Sequence, residues 1–114
     1  MASNQTGLDG VELQYLYEDG GEVVLSFYDG LVKFKWLKGP MTGTKQDDLP
    51  YQIQAIDEQV FLVRWHNMDA GSFVTLYIDL AGKRIFGSAL IGYRFEEPVE
   101  LFDSATITRI DGRH

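Results

Sequence analysis

The chain has 114 residues, 45% of them hydrophobic and 13% aromatic, enough apolar material for one self-supporting domain and too little length for two. A formal net charge of -7 and a pI near 4.6 argue against a nucleic-acid surface or an anionic membrane partner, both of which require clustered Lys and Arg. There is no cysteine, which excludes disulfide scaffolds, Cys-ligated zinc and Cys nucleophiles. No run approaches the roughly 20 apolar residues of a membrane span, and "MASNQTGLDG" has no leader pattern, so a cytoplasmic protein is expected.

In chain order, a single domain over 1–114 begins with residues 1–10 as a loose or short helical extension. The first strand is expected over Val11–Tyr17, where Tyr15 and Tyr17 share one face. After the turn residues "EDGG" comes Glu22–Tyr28, and after "YDG" comes Val32–Leu37, in which Val32, Phe34 and Trp36 alternate with Lys33 and Lys35. The next stretch, "KGPMTGTKQDDLP", reads as a long irregular loop. Strands follow at Tyr51–Ile56 and Gln59–His66; in the latter Phe61, Val63 and Trp65 point inward, Arg64 and His66 outward, and Asn67 is the next inward position. Beyond "NMDAG", Ser72–Asp79 turns Val74, Leu76 and Ile78 inward, and "DLAGK" leads into Lys83–Ile91. A second irregular stretch, "GYRFEEPVELFDS", precedes the last strand at Ala105–Ile110.

Eight short strands with one apolar face each and almost no helix to cover a sheet predict an all-β fold. An up-and-down antiparallel barrel buries those faces and removes the edges. A two-sheet sandwich is the alternative, disfavoured because the hairpins are sequential. A barrel of this size is either filled by side chains or holds one small ligand.

Catalytic chemistry is sparse. His66 and His114 are the two histidines, so a multi-histidine metal site is excluded, and no metal or other cofactor is expected. Ser72, His66 and Asp69 could be written as a triad, but no nucleophile elbow accompanies them and His66 faces solvent. The acidic group Glu96, Glu97, Glu100 and Asp103 lacks the ligand spacing of a calcium loop and reads as a solvated face. The glycines of "GPMTG" and "AGKRIFGS" match no phosphate loop.

Over most of its length, through "YLYEDGGEVVLSF", "VKFKWLKGPMTG", "VFLVRWHNMDAGSFVTLYIDLAGKRIFGSALI" and, more weakly, "SATITRI", the chain resembles the calycin-like (lipocalin-like) barrels that include bacterial phenolic acid decarboxylases and MoaF-type proteins. The resemblance implies that Tyr15 and Tyr17 stand where the decarboxylases hold a substrate carboxylate. The decarboxylase arginine falls on Thr44, with Lys45 beside it, and the glutamate falls on Asn67. Thr44 has no charge and Asn67 cannot exchange a proton near neutral pH, so decarboxylation of phenolic acids is not expected, and molybdenum cofactor is not counted as a ligand. The resulting expectation is a barrel binding a small aromatic or carboxylic compound through Tyr15, Tyr17, Trp36, Thr44, Trp65 and Asn67. A lyase or isomerase with Tyr15 or Tyr17 as proton donor is the alternative, and a non-catalytic assembly module the second. The resemblance also implies a homodimer, for which Phe73, Tyr77 or Phe86 could supply an apolar contact.

Overall fold

The computed structural model describes residues 8–39, 41–94 and 96–112. Its strands are β1 Glu12–Tyr17, β2 Glu22–Tyr28, β3 Leu31–Lys38, β4 Lys45–Asp57, β5 Val60–Asn67, β6 Ser72–Asp79, β7 Arg84–Ile91 and β8 Val99–Asp111. Each pairs antiparallel with its chain neighbours, and β8 returns to β1 to close the barrel. That last ladder excludes the sandwich. Alternation supplies the reason: most strands carry one apolar row, and closure buries these rows together while giving every strand a neighbour on both sides. Short hairpins make closure accessible; between β2 and β3 both Asp29 and Gly30 take positive φ, 50° and 76°, as a two-residue turn matched to strand twist requires.

Two stretches expected to be irregular are strand instead. β4 begins at Lys45 rather than Tyr51, and β8 at Val99 rather than Ala105. In β4 the residues "KQDDLP" are poor strand formers, and the ladder absorbs them with a bulge: Val32 faces Leu49 while Phe34 faces Gln46, with Asp48 at a φ of 59°. In β8 the polarity is inverted, since Asp103 takes an inward position opposite Gly87 while Phe102 points out and is 77% exposed. Neither half-strand shows the apolar alternation that would mark it.

Of the expected N-terminal extension, residues 1–7 lie outside the described residues. The remainder is neither loose nor helical. Leu8 is fully buried, the Asp9 carboxylate accepts from Gly30 N at 3.0 Å and from Tyr51 Oη at 2.8 Å, and Gly10 N donates to Phe27 O at 2.7 Å. Leu8, Leu25, Phe27, Ile78 and Ile85 fill the interior beyond the reach of the cavity described next.

Candidate functional site

The β1–β2 hairpin positions the tyrosine pair. Asp19 Oδ1 accepts from Gly21 N at 2.9 Å, and Tyr17 N donates to Gly21 O at 2.7 Å, which sets the register of β1. Alternation then turns Leu13, Tyr15 and Tyr17 inward, each tyrosine only 3% exposed. Their rings meet edge-on with centroids 5.5 Å apart, and their hydroxyls hydrogen-bond each other. Tyr17 also stacks on Trp36, at 5.8 Å and 12°. Two glycines make room for this arrangement. A Cβ on Gly21 would lie 2.8 Å from Trp36 Cζ3, and one on Gly87 would collide with Tyr17 Oη.

Burial pushes both phenols above the ordinary tyrosine range. Tyr17 reinforces the rise at Tyr15. At Tyr17, the hydrogen bond from Tyr15 works against burial, while the carboxylates of Asp103 and Asp19 add to it. Both groups therefore remain protonated at neutral pH, as hydrogen-bonding hydroxyls.

Beside the pair lies a cavity of about 40 Å³, room for about three waters and well below the roughly 300–1,000 Å³ of drug-sized sites. Tyr15, Tyr17, Trp36, Thr44 and Trp65 line it. Met41 and Leu101, both half-buried, help to close its mouth. Thr44 belongs to the β3–β4 loop, held by Trp36 N donating to Thr44 O at 2.9 Å.

Asn67 does not line the cavity. It accepts from Ala70 N at 3.1 Å through Oδ1 and donates from Nδ2 to Gln46 Oε1 at 2.7 Å, so it reaches the cavity only through Gln46. Gln46 and Ser72 are the polar lining groups that sequence reasoning missed. For Ser72 a signal existed, since it shares the inward parity of Val74, Leu76 and Ile78. For Gln46 there was none, because its stretch reads as a loop.

The remaining candidates are dispersed. His66 is exposed on the outer face, hydrogen-bonded to Tyr93 and stacked near Phe73, whereas Ser72 is inside; the two cannot act together. Of the acidic group, Glu100 points outward and Asp103 inward, where it accepts from Asp19 N at 3.3 Å and Ser104 N at 2.9 Å. Lys45 stands on the outer face opposite Lys35, away from the cavity.

No family model matches the sequence, and no curated protein matches it. Among solved structures, a protein from Burkholderia vietnamiensis described as a candidate β-lactamase is similar to this chain, with a TM-score of 0.67 over 89% of this chain and 95% of that one, at 16% identity. A likeness at that identity shows the fold alone.

Proposed function

We propose that this barrel is a MoaF-like small-molecule-binding protein that holds a small aromatic or carboxylic compound against Tyr15, Tyr17, Trp36, Thr44 and Trp65. The carrying observation is the coincidence of an apolar cavity with converging hydroxyl and amide groups in an otherwise filled interior, the usual form of a binding site. The buried tyrosine pair on β1 and the closed antiparallel barrel are the features on which the likeness to MoaF-type proteins is proposed. As the cavity stands it accepts a ligand of a few heavy atoms; an aromatic ring requires Met41 and Leu101 to move aside. A lyase or isomerase would need one phenol to give up its proton, and burial opposes that, so binding is the preferred reading.

Xenon is the direct test, because it enters apolar cavities without needing polar recognition. Under xenon pressure, NMR shifts should concentrate on the methyls of Val74 and Ala89 and the indoles of Trp36 and Trp65. Shifts scattered over the surface, or absent, would remove the basis for a binding role.

A second reading, self-association, has its own support on the outer face. Across neighbouring strands Leu62 pairs with Tyr77 and Tyr77 with Phe86, and Phe86 meets Phe102 edge-on at 4.7 Å; Leu90 and Tyr93 extend the patch. From their fractional exposures these side chains present about 500 Å² of largely apolar surface, taking about 200 Å² for a whole aromatic side chain. One side of a standard interface buries about 800 Å². The occupant that fits is a second copy: a two-fold axis bisecting the line from Arg64 to Glu100 would bring each to the other across the interface. Light scattering should give a dimer, and Phe102→Ser should return a monomer of unchanged fold; a monomeric wild-type chain would eliminate this reading.

A further inference from the structure

We infer that the cavity selects uncharged ligands carrying a hydrogen-bond acceptor, such as carboxamides and ketones, and excludes carboxylates, with Ser72 and Gln46 as the recognising groups. This rests on the binding reading above and narrows it. Ser72 is only 7% exposed and lines the cavity, yet its hydroxyl has no partner among the described residues. Among the described residues no sealed side-chain polar atom lacks a partner, so this hydroxyl opens onto the cavity space, where a ligand acceptor can take its hydrogen bond in place of water.

The second donor is fixed by a chain of hydrogen bonds. Ala70 N can only donate, so Asn67 must present Oδ1 to it. Asn67 Nδ2 is therefore the group turned toward Gln46, which must answer with Oε1. Gln46 Nε2 remains, with no protein partner among the described residues, on a side chain that lines the cavity. Asn67 is thus a positioning residue whose effect is to make Gln46 a donor.

Charge sets the class of ligand. None of the described residues lining the cavity is ionised, and the carboxylates that act on Tyr17 are Asp103 and Asp19. Lys33, Lys35 and Lys45 lie on the outside of the barrel with Glu12 and Asp47. An anion entering the cavity would lose its hydration, meet no cation among the lining residues and face the inward Asp103 carboxylate. A carboxylic compound would enter in its protonated form.

Acetamide and acetate provide the test, being nearly the same size and shape and differing in charge. Both are titrated into the full-length protein at pH 7, following the Trp36 and Trp65 indoles and the Val74, Ala89 and Ile91 methyls by NMR. Acetamide should saturate in the millimolar range and acetate should bind at least about tenfold more weakly. Ser72→Ala should weaken acetamide about fivefold, the worth of one net hydrogen bond, while xenon entry and Tm stay as in the wild type. Asn67→Asp keeps the acceptor for Ala70 N but forces Gln46 to turn its Nε2 to the new carboxylate, so acetamide should weaken again without loss of fold. Acetate binding as tightly as acetamide overturns the inference, and so does an unaffected Ser72→Ala. If neither probe shifts these signals while xenon does, polar selection fails and the binding site stands; if xenon also fails, the binding reading itself falls.

Discussion

Replacing Gly87 by Ala places a methyl against Tyr17 Oη, with Leu76 Cδ2 and Tyr17 Cε1 each 3.3 Å from the new carbon. Overpacking of this kind costs about 1–3 kcal/mol. Gly87 sits in β7 without a positive φ, so removing the glycine's unfolded-state freedom returns about 0.4–1 kcal/mol. The net expectation is a loss of about 1–2 kcal/mol, a Tm lowered by about 4–8 °C in a chain of this size. The decisive measurement is a double-mutant cycle in urea, followed by tryptophan fluorescence. Tyr17→Phe alone should cost about 1 kcal/mol through the lost hydrogen bond to Tyr15. In the Gly87→Ala background it removes the colliding atom, so it should cost little or even stabilise, giving a favourable coupling of about 1 kcal/mol or more. Additivity within about 0.5 kcal/mol would mean that the Tyr17 hydroxyl does not rest against Gly87, and the described seat of the tyrosine pair would be wrong.

Tyr15 and Tyr17 also predict alkaline instability. Both have pKa values raised on folding, so above the unfolded value near 10 the native chain still holds protons that the unfolded chain has lost. Their contribution is therefore complete below about pH 10 and declines as pH rises beyond it. Absorbance at 295 nm should show these two phenols ionising only as the barrel unfolds, and Tyr17→Phe should make the fall in stability shallower; reversible titration of all tyrosines near pH 10 in the folded protein would contradict this. At the opposite end of the interior, Asp9→Ala removes the acceptor for Gly30 N and Tyr51 Oη and should cost about 1–2 kcal/mol, read as a lower urea midpoint with an unchanged slope. An unaltered midpoint would show that the Leu8–Gly10 segment docks through Leu8 alone.

Much of the barrel is legible in the chain because the relevant physics is local. Val32, Phe34 and Trp36, or Phe61, Val63 and Trp65, declare their inward face by alternation, and Asp-Gly pairs declare the turns. The same parity placed Tyr15 and Tyr17 together and His66 outside. It failed where the tertiary ladder overrode local preference: "KQDDLP" became strand because β3 offered it a partner, and "VELFDS" because β7 did, each extending a strand whose other half pairs with β5 or β1.

The candidate site divides in the same way. Residue type and spacing alone determined that this is an all-β chain with two phenols on one strand face and few ionisable groups suited to catalysis. Only the closed barrel decided what those phenols meet, because Gly87 lies 70 residues from Tyr17 in the sequence and becomes its seat through the sheet register. It also moved Asn67 from the cavity wall to a position behind Gln46, and turned the Ser72 side chain inward onto the cavity. Periodicity specifies which way a side chain faces, whereas its neighbours depend on strand stagger and closure, which no short stretch of sequence contains.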